Sequence, residues 1–219
     1  MALPKLNTPS HRLVLPSTGE EIKFRPFLVK EQKILLMATE NGDENEIIDS
    51  VTKVIQNCTG LDATELPVFD VEYLFLKIRA KSVGDIVNVG VQCPDDETTT
   101  ARVTVDLNEV EVLSNNDHKD IVDITDDIKI YMRYPNISDV KLGKDITTEV
   151  DTVFELLKKC IVKIENGEEI INRVDFKTQE LVEFIESLNA EQFDNVLKFF
   201  NTMPKVRHVI EVTNPKTKV

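Results

Sequence analysis

The residues best placed to do chemistry lie in "VQCPDDETTTARVTV", where Cys93 and Pro94 are followed by Asp95, Asp96 and Glu97. A thiol at the lip of a strand is where one half of a zinc knuckle begins, but a structural zinc site takes four ligands, usually as closely spaced pairs. The chain has no C-x-x-C, no H-x-x-H and no Cys-His neighbours. The adjoining carboxylates are hard oxygen donors without a partner thiol, suited at most to a weak cation site. Cys93 reads as a strand-end residue beside a solvated acidic loop, and no metal ligand is assigned.

Nucleophilic chemistry fares no better. His11, His118 and His208 lie in an N-terminal tail, an Asp/Asn-rich loop and an alternating run, and apart from Ser10 next to His11 in the tail no Ser or Cys adjoins any of them. The seven glycines are scattered, without the spacing of a phosphate-binding loop. Carboxylates are so abundant that a close pair would mean little. The residues support no enzyme, no catalytic group and no cofactor.

Composition narrows the class of partner. The formal charge of −13 argues against nucleic acid, which needs clustered Lys and Arg. Residues 1–33 carry six Lys/Arg against three Asp/Glu, residues 40–127 six against twenty-one, and residues 203–219 four against one. Such asymmetry suits steering onto another protein or onto a second copy, so a homo-oligomer is compatible. Cys58, Cys93 and Cys160 are too few and too far apart for a disulfide framework, which fits a reducing cytoplasm. No run approaches the roughly 18 apolar residues of a membrane span, and "MALPKLNTPSHRL" lacks a signal-peptide core.

The elements that would carry these residues follow from periodicity. Leu13 and Leu15, the turn "PSTG", then Ile22 and Phe24 read as a hairpin. "LVKEQKILLMA" is too densely apolar for a two-fold period and suits a helix packed on more than one side. Ile47, Ile48, Val51, Val54, Ile55 and Cys58 form one helical stripe, with Gly60 as its stop. Asp70 is placed to cap a third helix, "VEYLFLKIRAKS". Alternation around Val87–Val91 and Val103–Leu107 gives two strands, and "DIKIYMRYP" another. From Thr147 a helical stripe runs through Val150, Val153, Phe154, Leu157, Cys160 and Ile161, and the turn "ENGEE" follows. A short helix around Leu181, Ile185 and Leu188 precedes one with a capping box at Asn189 and Gln192. Val206, His208, Ile210 and Val212 form a last alternating run, able to pair within the chain or with a partner.

The expected class is α+β: an N-terminal hairpin and helices, a central antiparallel β element, and C-terminal helices with a terminal strand. The loop "YPNISDVKLGKD" offers the cheapest cut, giving an N-terminal α+β region (1–140) and a C-terminal helical region with a terminal strand (141–219). A single domain fits the same pattern, and no internal repeat is visible.

Recognition features are better represented than chemistry. "FRPFLVKEQK" and "KFFNTMPKVRHV" have the aromatic, Met and Arg content that interface cores favour. Arg25, Phe27, Lys205 and Arg207 are the candidate protein-binding residues.

Three segments, "LPSTGEEIKFRPFLVKEQKILLMA", "LPVFDVEYLFLKIRAKSVGD" and "FFNTMPKVRHVIEVTNP", resemble the T4-type phage baseplate hub protein family, in wording close to cyanophage forms. The resemblance implies a non-enzymatic part in building the tail baseplate hub of a contractile-tailed phage, in the host cytoplasm. It implies contacts with other hub or tail proteins, as an assembly factor that leaves or as a permanent virion subunit. No catalytic residue comes with the family. A small metal-binding protein is the outlying alternative.

Overall fold

The structure, a computed structural model, describes residues 6–141 and 148–218. In chain order come β1 (His11–Val14), β2 (Glu21–Phe24), α1 (Val29–Asn41), α2 (Glu44–Thr59), α3 (Val68–Val83), β3 (Ile86–Cys93), β4 (Asp96–Asp106) and β5 (Glu111–Leu113). Then follow β6 (Ile121–Asp123), β7 (Ile128–Met132), α4 (Ile137–Val140), α5 (Glu149–Cys160), β8 (Ile161–Asn166) and β9 (Glu169–Asn172). The last elements are α6 (Thr178–Glu186), α7 (Ala190–Thr202) and β10 (Lys205–Arg207). The strands pair as β1–β2, β3–β4, β5–β10 and a four-stranded antiparallel sheet β6–β7–β8–β9. This is the α+β class that the periodicity predicts. Among the described residues no helix is long and apolar enough to cross a membrane.

Two compact units divide the chain. The first is built from the described parts of Met1–Ala63, Phe69–Leu113 and Val206–Val219, the second from those of Thr64–Val68 and Ser114–Lys205. The chain thus changes unit at Thr64, Phe69, Ser114 and Val206, whereas the sequence suggests a cut at 140/141. The start of that loop is tied down within the second unit. Arg133 donates to the Asp139 carboxylate at 2.6 and 3.1 Å, and Lys159 Nζ donates to the Asp139 carbonyl at 2.9 Å. The loop beyond Lys141, and Thr147 where the helical period resumes, lie outside the described residues.

In the first unit, α2 turns the stripe Val54, Ile55 and Cys58 inward, and α3 adds Leu74 and Ile78, all buried. Gly60 ends α2 in the left-handed conformation at φ 82°, as its place after the stripe requires. Asp70 does not cap α3, which begins at Val68. Its buried carboxylate instead accepts the Ser17 backbone N–H at 3.1 Å and the Ser17 hydroxyl, tying the β1–β2 turn to the helix. Helix α1 buries only Glu31 and Ala38 completely, so it packs on one side rather than several.

The long hairpin β3–β4 pairs Val87 with Val105, Val89 with Val103 and Val91 with Ala101, which stacks apolar residues on one face. The chain end crosses beside that hairpin. Val206 packs with Val87, Val105, Ala80, Leu107 and Val110, and Val212 lies in a recess with Val91, Cys93 and Pro94. Between them burial alternates, with His208 and Ile210 half-buried and Val209 and Glu211 exposed. The alternating run is therefore an extended strap of which only Lys205–Arg207 is a ladder strand, paired with β5 of the same chain.

The second unit sets one face of the four-stranded sheet on its helices. Val122, Ile130, Leu157, Cys160, Ile161, Leu181, Ile185, Val196 and Phe199 make its core. Helix α5 ends at Cys160, and Ile161, which the sequence placed in the helical stripe, opens β8. "ENGEE" is the tip of the β8–β9 hairpin, with Gly167 at φ 60°.

Candidate interaction surfaces

Arg25 leaves β2 directly ahead of a proline. Its backbone N–H donates to the Cys58 carbonyl at the end of α2, at 3.0 Å. Its guanidinium donates to the Pro26 carbonyl at 2.9 Å and to both Glu31 oxygens at 3.0 and 3.4 Å. Glu31 sits in the first turn of α1 and accepts the Leu28 N–H at 2.8 Å, satisfying a donor at the helix start. Burial by itself pushes the Glu31 carboxyl up. Hydrogen bonds from Arg25 and Leu28, with the charges of Arg25 and Lys30, more than reverse this and hold it below its ordinary range.

The second unit repeats this device, although the sequence shows no internal repeat. Arg133 follows β7, its N–H donates to the Cys160 carbonyl at the end of α5 at 2.9 Å, and its guanidinium donates to the Tyr134 carbonyl at 3.1 Å and to Asp139. Asp139 accepts the Asn136 N–H at 2.9 Å, and the Asn136 side chain accepts the Asp139 N–H at 3.0 Å. In both places the acid stands six residues after the arginine. Burial raises the Asp139 carboxyl, and Arg133, the Asn136 N–H and Lys159 overcome it to leave the group below its usual value.

The stretch around Cys93 is a docking point for the strap. Cys93 itself is buried. The buried Asn214 donates to Asp95 at 2.9 Å, Thr217 also donates to Asp95, and Lys216 Nζ donates to Asp96 at 2.8 Å. Asp96 further accepts from the hydroxyls of Thr98 at 2.6 Å and Thr99 at 2.8 Å, which uses the threonine run. Lys216, then the two threonines, draw its carboxyl well below the ordinary range. These acids are thus held by cations and hydroxyls rather than gathered with Cys93 as a ligand set, and no group of three or more metal-binding side chains occurs among the described residues. The loop is accordingly bridged to the chain end, not simply solvated.

His118 stacks on Tyr134 and lies against Phe199, with ring centroids at 5.4 and 5.0 Å, and its Nδ1 meets the Thr202 hydroxyl at 2.9 Å. Burial lowers its pKa, and Asp120 opposes this. Its Nε2 is buried without a hydrogen-bond partner. His11 packs its ring on Phe24 at 5.4 Å.

The four residues singled out for partner contact stand in different settings. Arg25 is committed to Glu31, and Phe27 is half-buried with its N–H donating to the Ser82 hydroxyl at 2.9 Å. Lys205 and Arg207 both belong to β10, where Lys205 is half-buried and Arg207 is exposed. Sequence reasoning missed Glu31, Arg133 and Asp139. The spacing of an arginine, a nearby proline and an acid six residues on, present at both places, was the signal that could have found them.

Other apolar surface remains open. Val29, Leu36 and Met37 on α1 are 80%, 57% and 54% exposed. In the second unit a recess of about 380 Å³ is lined by Ile128, Ile164, Ile171, Phe176, Leu181 and Phe184.

With that geometry in place, comparison with known proteins gives a family. The profile described as T4 bacteriophage base plate protein matches residues 8–219, nearly end to end. The chain belongs to this family and is a T4-type phage baseplate protein. Comparison with curated proteins and with solved structures gives no match.

Proposed function

We propose that the protein is a non-enzymatic assembly factor of the tail baseplate hub, acting through contacts with other hub or tail proteins in the host cytoplasm. The observation that carries the reading is the base plate family match over residues 8–219. The hub-like wording of the three quoted segments narrows it from the baseplate to the hub. The basic, aromatic residues Arg25, Phe27, Lys205 and Arg207 are the contact candidates. Among them Arg207 is the informative one to reverse, because it is exposed and its loss leaves the Arg25–Glu31 pair intact.

Quantitative mass spectrometry of washed mature phage beside the soluble assembly fraction tests the role. The expected result is presence in the assembly fraction with hub components and loss from finished particles. A fixed copy number in mature particles would make it a permanent hub subunit instead. Arg207→Glu is expected to weaken co-purification with hub components, and an unchanged complex would remove Arg207 from the contact set.

A further inference from the structure

The strap runs extended beyond its short ladder with β5, and its side chains alternate. Val206, His208, Ile210 and Val212 are half-buried, while Arg207, Val209 and Glu211 are exposed, Val209 at 82%. The ladder ends at Arg207. Among the described residues, no backbone group outside that ladder bonds to β10, and the N–H and C=O groups of residues 208–213 form no hydrogen bond at all. An extended segment with an unpaired backbone is a template for a second strand.

The outward residues select that strand. Laid antiparallel on its own copy about Val209, the strap sets Arg207 opposite Glu211, Val209 opposite Val209, and Glu211 opposite Arg207. The two-residue period keeps the half-buried set together in the same register, Val206 facing Val212 and His208 facing Ile210. Neither Arg207 nor Glu211 has an ion-pair partner among the described residues of its own chain, so both charges are available to a second copy. Parallel pairing would set each charge on its like. Shifting the antiparallel register so that Lys205 meets Glu211 leaves Arg207 facing Val209. In the register about Val209 the ends match as well, because Lys205 of the second copy faces Thr213, one residue from the Asn214 side chain that donates to Asp95.

We infer that the strap pairs antiparallel with the strap of a second copy about Val209, closing a symmetric dimer through two Arg207–Glu211 ion pairs. A two-fold pairing of this kind is complete at two chains and leads to no filament. Opposite charges directly across an antiparallel pair stabilise it and like charges oppose it, which fixes the register. The dimer goes beyond the assembly reading and does not depend on it.

Sedimentation of the purified full chain tests the pairing. The expected result is a reversible, concentration-dependent dimer, weak because a single strand pair buries little area. Arg207→Glu and Glu211→Arg, each alone, set like charges at both facing positions and are expected to raise the dimer dissociation constant about tenfold or more. Their thermal transitions are expected to be unchanged, since both side chains are exposed. An equimolar mixture of the two variants is expected to regain the dimer, because every facing pair then joins an acid to a base. A wild-type chain that stays monomeric to about 1 mM, a dimer indifferent to either reversal, or a mixture that stays monomeric would overturn the pairing. This readout needs no other phage protein, so its failure leaves the assembly role standing. Hub co-purification by the double variant Arg207→Glu, Glu211→Arg, whose facing charges remain opposite, tests the assembly role with the dimer intact.

Discussion

In the first unit Arg25 holds a glutamate that reaches back to Leu28, an N-cap without a side-chain acceptor, whereas in the second Arg133 holds an aspartate whose N-cap, Asn136, returns the hydrogen bond. Burial differs as well. The Glu31 side chain is 0% exposed against 9% for Asp139, and Arg25 is 24% exposed against 38% for Arg133. Both clamps keep the arginine N–H on the carbonyl of a cysteine in the last turn of a helix. What the two share is the anchoring of a strand end to a helix end through an arginine. The capping chemistry around it varies, so the first clamp depends more on its ion pair and the second spreads the work over a closed box.

Removing each arginine tests that contrast most strongly. Arg25→Ala leaves a fully buried carboxylate with only the Leu28 N–H and the exposed Lys30 ammonium beside it and is expected to cost about 3–5 kcal/mol. Arg133→Ala leaves a more accessible one that keeps its Asn136 bond, at about 1.5–3 kcal/mol. Urea unfolding, with hydrogen exchange to assign the loss to a unit, measures both, and equal losses would erase the distinction.

Acid probes the same pairs. Glu31 and Asp139 have folded pKa values below their ordinary 4.5 and 3.8. Their stabilisation is therefore present above those ordinary values and lost as pH falls through the lower folded ones. Glu31→Gln should flatten the acid limb of the stability profile contributed by the first unit and leave that of the second, as read by pH-dependent hydrogen exchange.

A smaller change should make the clamps alike. Leu28→Asn supplies the missing acceptor on an exposed position and is expected to add about 1 kcal/mol, while Asn136→Leu removes about the same from the second unit. Smallest in energy, though visible in rate, is thiol labelling. Burial pushes the Cys160 thiol up to about 12 and raises Cys58 by less. Cys160 should react more slowly than Cys58 with a thiol reagent in the native protein, and the reverse order would contradict the burial difference.

What the sequence made legible was local. The Asn189–Gln192 capping box is present with both bonds, at 3.0 and 2.9 Å, because its chemistry is complete within four residues. The helical stripes ending at Cys58 and Cys160 are buried over their last turns, at Val54, Ile55 and Cys58 and at Leu157 and Cys160, because a 3.6-residue period encodes a face directly, although Val150 at the start of the second is exposed. The β8–β9 hairpin carries its own signal, Asn166-Gly167 between the apolar runs that end at Ile164 and resume at Ile170, but Ile161 also continues the helical stripe of α5 and masks where the strand begins. Strands β5 and β6 have three residues each, too few to show a period. The carbonyl partners of Arg25 and Arg133, and the union of Asp95 with Asn214, depend on residues brought together across the chain. No local pattern announces them.

The strap also dictates a timetable. The first unit needs Val206 and the residues after it, yet residues 114–205 must be made in between. At ribosomal speeds of about 5–20 residues per second, the valine-lined hairpin waits roughly 5–20 s for its covering. The second unit, though later in the message, can close first, and the opening unit of the chain is the last to be finished.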